Sequence, residues 1–269
     1  MTDQADIQEV VDIVNRAQVS ESFDAPQPVQ DPYSDNMVDL PVGILDPTAG
    51  SITTAEVREL NGFDEEVVAR AKDLGSALLV ILERATLKIG EEKATKRLLD
   101  SLTIGDRMEL LIGIRKATWG DTISATLTCG ECNVTEEVEI SVTRDIPRNT
   151  IDDPIADRSI QIELPTTGAK AELTWPTGLV HNKVLTSPNM STADMTTALI
   201  VDCVVSIDGL PLLSGEQEAK SMSVRDRAAI TKAVTDDLPG PVLDKTTVEC
   251  PTCGEKNSLP LQVGALFPF

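Results

Sequence analysis

Aromatic residues are scarce in this 269-residue chain: two Trp, one Tyr and four Phe make up 3% of it. So few rings argue against a face on which nucleic-acid bases stack, because such faces use aromatic side chains as platforms. Histidine is scarcer still, since His181 is the only one. The core must therefore be built from aliphatic residues, and sites that need several histidines are excluded.

Basic residues are also few, with 23 Lys and Arg against 44 Asp and Glu, which gives a formal net charge of -21. A surface this negative repels phosphate backbones and anionic lipid headgroups. We therefore expect no nucleic-acid partner and no membrane partner. Two explanations of the acidity remain open: it keeps the protein hydrated, as in a high-salt host, or it binds basic surfaces of partner proteins.

Long apolar runs and a targeting segment are missing too. The longest apolar run, residues 77–82, is far shorter than the roughly 20 residues that span a bilayer. Residues 1–8 are polar and acidic, unlike the basic and then apolar start of a signal peptide. Five cysteines without such a signal indicate a reducing, cytoplasmic compartment, where paired cysteines favour metal binding over disulfides.

Recognisable catalytic motifs are absent as well. The sequence contains no P-loop, no dinucleotide-binding glycine pattern, no His-Glu-x-x-His and no Gly-x-Ser-x-Gly. Adjacent carboxylates occur at Asp152-Asp153 and Asp236-Asp237, but each pair adjoins a loop proline and neighbouring side chains point apart. We interpret both pairs as solvated turns and His181 as structural or solvated. The sequence predicts that the protein is not an enzyme.

Composition divides the chain into five segments. Residues 1–36 form an N-terminal arm, made of an amphipathic helix over residues 5–17 and an extended, proline-containing linker. The apolar face of this helix carries Ile7, Val10, Val11 and Val14. The arm either folds back on its own domain or docks on a neighbouring subunit. The other segments are a helical region (37–118), an antiparallel β region (119–180), a helical insert (181–243) and a closing segment (244–269).

Hydrophobic periodicity predicts the elements within these segments. Helical spacing predicts helices over residues 55–60, 65–89, 104–117, 192–206 and 224–238. Asp64, Thr103 and Ser223 precede three of them at the position where a side-chain oxygen caps the first turn. Gly90 and Gly120 are placed to end two of them.

Alternation of apolar and polar residues predicts strands. Four of them lie around residues 123–127, 138–142, 160–164 and 171–175, and their short connections predict one antiparallel sheet. Residues 40–43 are expected to be extended, and two short strands, 246–248 and 258–263, close the chain. The predicted fold class is α+β, with helical segments and a small antiparallel sheet.

Two Cys-x-x-Cys turns carry the strongest functional signal. Cys129 and Cys132 join two predicted strands, and Cys250 and Cys253 join the two closing strands. Two thiolates with two residues between them on a tight turn can share one metal ion, and two such knuckles supply the closed set of four thiolates typical of structural zinc. The next residues, Asn133 and Gly254, tolerate the left-handed backbone that such a turn needs.

The sequence therefore predicts one structural zinc ion in a zinc ribbon split by a long insertion. Two alternatives stay open: two disulfides in a non-reducing setting, and a thioredoxin-type redox pair, which neither turn favours because neither begins a helix. The fifth cysteine, Cys203, lies on an apolar helical face, and we interpret it as a buried small hydrophobic residue.

Several short motifs follow one another in a recognisable order. They are Val-Asp-Leu-Pro-Val-Gly at 38–43, Ala-Glu-Val-Arg-Glu-Leu-Asn-Gly-Phe-Asp-Glu-Glu at 55–66, Ile-Gly-Asp-Arg-Met-Glu-Leu-Leu at 104–111, Cys-Pro-Thr-Cys-Gly at 250–254, Leu-Pro-Leu at 259–261 and Phe-Pro-Phe at 267–269. This order resembles the baseplate hub subunit and hub assembly chaperone family of T-even-type contractile-tailed phages, over most of residues 38–269.

The resemblance implies inert cysteine motifs and a role in forming the central hub beneath the tail tube. It implies partners among baseplate and tail proteins, such as tube or hub subunits, and a location in the virion tail, with the host cytoplasm as the site of assembly. Within this interpretation, residues 1–17 and the Phe267/Phe269 end are the expected contacts. Two other functions stay open: an assembly chaperone outside the mature particle, and a zinc-ribbon nucleic-acid binder, for which Lys256 and a few neighbours are the available bases.

Overall fold

The structure, a computed structural model, describes residues 36–47, 50–187 and 189–268. The predicted helix and linker of the N-terminal arm and the terminal Phe269 lie outside these residues. The helices of the described part are α1 (Gly62–Val68), α2 (Leu74–Ala85), α3 (Lys96–Ser101), α4 (Ile104–Trp119), α5 (Gly178–Leu185), α6 (Thr192–Cys203), α7 (Glu216–Ser221) and α8 (Val224–Thr235).

The strands of the described part are β1 (Met37–Asp46), β2 (Gly50–Val57), β3 (Thr86–Ile89), β4 (Glu92–Lys93), β5 (Thr122–Thr128), β6 (Thr135–Ser141), β7 (Arg148–Asn149), β8 (Ser159–Glu163), β9 (Lys170–Thr174), β10 (Val204–Ile207), β11 (Gly240–Pro241), β12 (Thr247–Glu249) and β13 (Lys256–Ser258). They form small sheets whose strand pairs are all antiparallel. The predicted α+β class is confirmed.

Helix α4 lies at the centre of the larger of two apolar cores. Leu110, Leu111 and Ile114 are fully buried, and every residue from Glu109 to Arg115 is buried, so that all sides of the helix are covered here. A helix that is apolar on several faces is surrounded by other elements. One of these is the sheet with strand order β1-β2-β3-β4, whose Val38 lies so close to Gly113 that a Cβ there would be 2.4 Å from a Val38 methyl group.

The predicted helix over residues 55–60 is wrong. Residues 55–57 belong to strand β2, where Ala55 and Val57 are fully buried, and residues 58–60 form neither a helix nor a strand. Ala, Glu, Arg and Leu favour a helix in isolation, but pairing with β1 and β3 and burial of alternate side chains override this weak preference. The segment described as helical, 37–118, therefore contains a four-stranded sheet as well as helices.

The single helix predicted over residues 65–89 is wrong in extent. Asn61, rather than Asp64, caps α1, and Asp64 lies within the first turn, where its carboxylate accepts a hydrogen bond from the Asn61 N–H. A new cap, Asp73, then begins α2. After Ala85 the chain becomes strand β3, and Gly90 follows a strand instead of ending a helix.

The other helix predictions agree with the structure except at their ends. Thr103 caps α4 and Gly120 ends it with a positive φ of 81°. Ser223 caps α8, which ends at Thr235 rather than at residue 238. Helix α6 stops at Cys203, and the chain continues as strand β10, where residues 204–206 were expected to be helical.

The predicted single sheet is in fact two sheets. Strands β5 and β6 pair only with each other, whereas β8 and β9 belong to a separate sheet with order β10-β9-β8. The second sheet packs with α6 and α8 into a smaller apolar core that contains Leu173, Ile200, Cys203 and Ile230. The last predicted strand, 258–263, is wrong in position, since β13 spans Lys256–Ser258 and residues 263–266 form a 3-10 turn.

A buried carboxylate joins α4 to the first strand. Asp106 is fully buried, and its oxygens accept hydrogen bonds from the N–H groups of Val42, Gly43 and Thr103 and from the Thr103 hydroxyl. Gly43 has a φ of +65°, and a Cβ there would lie 2.0 Å from the carbonyl oxygen of Ile52. The hydrogen bonds from Val42 and Gly43 to Asp106 therefore hold the bulge of β1 against the amino end of α4.

Two glycines, Gly105 and Gly240, let a later part of the chain pack against the first turn of α4. A Cβ on Gly105 would lie 1.6 Å from the carbonyl oxygen of Pro239, and one on Gly240 would lie 2.7 Å from the Cα of Gly105. The backbone before the second cysteine pair is therefore pressed directly on the first turn of α4. None of the helices among the described residues combines the length and the apolarity that crossing a bilayer requires.

Candidate metal centre

The first cysteine pair lies at the tip of the β5–β6 hairpin. Seven residue pairs connect the strands, from Thr122 with Ser141 to Thr128 with Thr135. The Cys129 N–H donates to the Val134 carbonyl at 3.0 Å, and the Asn133 N–H donates to the Cys129 carbonyl at 3.0 Å. Asn133 has a φ of 56°, as the knuckle prediction requires.

The second cysteine pair has the same turn on a shorter hairpin. Strands β12 and β13 are joined by three residue pairs. The Cys250 N–H donates to the Glu255 carbonyl at 2.8 Å, and the Gly254 N–H donates to the Cys250 carbonyl at 2.8 Å. Gly254 has a φ of 76°, so both left-handed positions expected from the sequence are confirmed.

The fold brings all four predicted thiols together. The Sγ atoms of Cys129 and Cys253 are 3.6 Å apart, those of Cys132 and Cys250 are 3.7 Å apart, and all four lie within 4.8 Å of one another. Four sulfurs around one zinc, each about 2.3 Å from it in a tetrahedron, would be about 3.8 Å apart. The thiol cluster therefore has the size of a four-thiolate metal site, and four cysteines this close can bind one metal ion.

Nearby polar groups contact the sulfurs unequally. The Asn257 side-chain amide lies 3.6 Å from the Cys129 Sγ, while its oxygen accepts from the Gly130 N–H at 2.9 Å, so Asn257 connects the two knuckles. Glu136 lies on the other side, with its Oε1 3.6 Å from the Cys250 Sγ and 3.1 Å from the Thr252 hydroxyl. The sequence did not predict either contact, because both cross from one hairpin to the other.

Backbone donors favour the thiolate form at the first knuckle. Hydrogen bonds from the N–H groups of Cys132 and Glu131 lower the pKa of the Cys129 thiol to about 6. Thiolates are the form that binds a metal, so this environment favours the binding form of Cys129. At the second knuckle the Glu255 N–H lowers the pKa of Cys253, but desolvation and contacts with the other thiols outweigh it and raise that pKa to about 12. Cys129 and Cys250 are buried, whereas Cys253 is exposed.

The remaining residues singled out from the sequence lie outside this cluster. Cys203 is fully buried in the smaller core, as predicted, and burial raises the pKa of its thiol. Burial, with the nearby Arg107 charge, lowers the pKa of His181 to about 4, which makes this side chain neutral at pH 7. Asp152 and Asp153 are exposed, and Asp153 accepts from the Ile155 N–H as a turn residue does.

The prediction that Phe267 is a contact for partner proteins is wrong. Its side chain is buried in the larger core, and its ring meets that of Trp119 edge to face with centroids 5.9 Å apart. An aromatic residue near the end of a sequence looks available in the sequence alone, but here the 3-10 turn at Val263–Leu266 brings it back against α4.

The comparisons with known proteins identify the family. A family model described as T4 bacteriophage base plate protein matches residues 51–264. The match covers most of the chain, including both cysteine pairs, and the chain belongs to this family of phage baseplate proteins. No curated protein and no solved structure gives a significant match. The family assignment confirms the T4-type baseplate resemblance found in the motif order.

Proposed function

We propose that the chain is a hub or hub-proximal subunit of a contractile phage tail baseplate, and that it acts through protein–protein contacts in the virion. Family membership supports the baseplate role and a location in the tail. The net charge of -21 supports protein partners over nucleic acid or membrane surfaces. The five-segment division of the chain and the docking role of residues 1–17 remain part of this proposal.

The four cysteines hold one structural zinc ion in this proposal. Cys129, Cys132, Cys250 and Cys253 are the ligands, and the size of their cluster is the observation that carries the assignment. Zinc surrounded by four thiolates has no open position for a water or a substrate, so it supplies stability rather than catalysis. It would connect two hairpins that are separated by residues 133–249, as in a zinc ribbon interrupted by an inserted region.

Zinc content is tested directly by native mass spectrometry of the purified chain. We expect one zinc ion per chain, and none in a variant with Cys250→Ser and Cys253→Ser. A chain that carries no zinc after purification without chelators, or that shows two disulfides, contradicts the metal assignment. The Cys203→Ala variant is the control, because Cys203 lies in the other core and should leave the zinc content unchanged.

The location is tested by quantitative mass spectrometry of purified particles. A small, fixed number of copies relative to the tube protein supports a hub subunit. Abundance in infected cells with absence from particles supports the alternative, an assembly chaperone that leaves before the particle is complete. Deletion of residues 1–36 tests the arm: we expect a folded protein that no longer enters particles, whereas normal entry removes the arm from the proposal.

A further inference from the structure

A groove of about 900 Å³ opens where helix α4 begins. The first turn of α4 forms one side of it, the end of α8 and the residues that follow it (235–245) form another, and residues 261–263 form a third. None of the four cysteines lines it. The groove is therefore a surface separate from the candidate metal centre.

Hydrogen bonds and backbone contacts fix the walls of this groove. Gly105 and Pro239 are in direct backbone contact, as described above. The Leu261 N–H donates to the Leu243 carbonyl at 2.9 Å, and the Asn149 side-chain amide donates to the Leu238 carbonyl at 3.2 Å. Because the walls are already in place, a ligand would not have to pay for ordering them.

The groove has an apolar lining that is only partly covered. Its half-buried apolar side chains come from all three segments: Ile104, Met108, Leu238, Val242, Leu261 and Val263. Burial of such side chains by a partner is favourable by about 25 cal/mol per Å² of apolar surface removed from water. The lining therefore offers binding energy to a segment that carries apolar side chains.

The rim of the groove is negative. Asp236, Asp237 and Asp244 are exposed and line it, against one basic lining residue, Lys245. Asp236 lies 4.0 Å from Lys232, an exposed pair of the kind that contributes little. Among residues 36–47, 50–187 and 189–268, no Lys or Arg comes within ion-pair distance of Asp237 or Asp244.

Two of these carboxylates also occupy an unfavourable place. Helix α8 ends at Thr235, and Asp236 and Asp237 follow it directly. The carboxyl end of a helix carries partial negative charge, so cations are stabilising there and carboxylates are not. A positively charged partner at this rim would compensate both the helix end and the carboxylates.

We propose that this groove binds a basic, apolar segment of another tail protein, with Lys or Arg side chains at the Asp236, Asp237 and Asp244 rim and aliphatic or aromatic side chains on the apolar lining. The inference rests on the proposed baseplate function, because it assigns that function an interaction surface. The complementary chemistry is a segment with net positive charge that presents apolar residues on one side.

Charge argues against the two occupants that this chain itself can offer. Residues 1–17 contain four acidic residues and one basic residue, Arg16, so they would bring negative charge to a negative rim. A second copy of the chain carries a net charge of -21 and is repelled in the same way. The occupant therefore comes from a different protein.

Site-specific photocrosslinking in infected cells and assembled particles tests the occupant. A photocrosslinking amino acid replaces Gln262, an exposed residue that lines the groove, and a control replaces Glu91, an exposed residue outside it. We expect position 262, and not position 91, to link to a net-positive segment of another tail protein. A link to residues 1–17, to a second copy of this chain or to an acidic segment overturns the proposal, as does the absence of any link.

Charge reversal gives a second, quantitative test. The Asp237→Lys, Asp244→Lys variant should enter particles at least tenfold less than the wild type. The control, Glu137→Lys with Asp152→Lys, changes the net charge equally at exposed positions outside the groove and should enter normally. Equal entry of both variants overturns the proposal, provided that circular dichroism shows both to be folded.

The two tests separate this inference from the proposed function. If the wild-type chain is absent from particles, the hub assignment fails, and the crosslink at position 262 is then read in lysates of infected cells. A basic segment linked there still supports the groove as the contact of a chaperone. If the wild-type chain is present in particles and position 262 does not link, the groove fails while the hub assignment stands.

Discussion

The two cysteine hairpins have the same turn but very different support. The first is held by seven residue pairs and by Ile123, Leu127, Val138 and Ile140, all buried in the larger core. The second has three pairs and one buried strand residue, Val248. The turn geometry is thus set by the local sequence, whereas the persistence of each hairpin depends on what packs against it.

The second hairpin depends on attachments made outside it. The Asn257 side-chain oxygen accepts from the Gly130 N–H of the first hairpin, and the Thr252 hydroxyl donates to Glu136 of that hairpin. The thiol cluster is the third attachment. We therefore expect that loss of the metal would loosen the second hairpin while leaving the first largely intact.

Removal of the metal is the largest expected effect. With zinc at the proposed site, chelation or Cys253→Ser should lower the free energy of unfolding by about 4 kcal/mol relative to the wild type in free zinc at a thousandfold the Kd, because a ligand that binds only the folded form stabilises it. Hydrogen exchange should accelerate at residues 246–258 and change little in β5 and β6. Equal acceleration in both hairpins would contradict the comparison, and an unchanged melting temperature would contradict the metal site.

The second largest effect is expected where the backbone before the second hairpin contacts α4. Gly105→Ala places a Cβ against the Pro239 carbonyl, and we expect a loss of at least about 3 kcal/mol, at the upper end of the usual cost of overpacking. Thermal unfolding measures it. Gly62→Ala is the matched control, since nothing lies within 4 Å of a Cβ there. Equal stability of the two variants would show that the backbone around Pro239 can move away from Gly105 at little cost.

The link between the knuckles should affect zinc affinity more than folding. Asn257→Ala removes the amide near the Cys129 Sγ and the acceptor of the Gly130 N–H. Loss of a partner that orients a ligand typically costs about 10- to 100-fold in metal affinity. Competition with a chromophoric chelator measures this change. Ser258→Ala, one residue further along β13, should bind zinc as the wild type does.

The substitution with the smallest expected effect should strengthen zinc binding instead of weakening it. Glu136 places a carboxylate 3.6 Å from the Cys250 Sγ, and a zinc ion with four thiolates is itself negative. Glu136→Gln should therefore strengthen zinc binding about 1.4- to fivefold, since a partly exposed charge contributes roughly 0.2–1 kcal/mol. The same chelator competition measures it, with Glu137→Gln as control. Weaker binding in Glu136→Gln would mean that the carboxylate acts by orienting the ligands.

The sequence predicted the parts of the site that are local. Cysteine spacing, the left-handed positions at Asn133 and Gly254, and the Thr103 cap of α4 each depend on a few consecutive residues. The contacts of Asn257 and Glu136 with the sulfurs were not predictable in this way. They depend on how two hairpins far apart in sequence come to face each other.

The wrong predictions about the fold also concern features that depend on contacts between distant residues. Strand β2 contains good helix formers, and only its position between β1 and β3 makes it a strand. Strands β6 and β8 share one alternating pattern, but the pattern does not say that they lie in different sheets. Phe267 was interpreted as exposed because no local signal indicates the turn that returns it to Trp119.

The distance in sequence between the two cysteine pairs has a consequence for synthesis. Ribosomes add about 5–20 residues per second, so residues 133–249 take roughly 6–23 s to follow the first pair. During this interval the emerging chain has two of its four ligands, and two thiols alone do not make a closed tetrahedral site. In the zinc site that we propose, tight metal uptake would therefore wait until both halves of the site have been translated, and a nascent chain that stops within the interval would lack the metal that marks a finished chain.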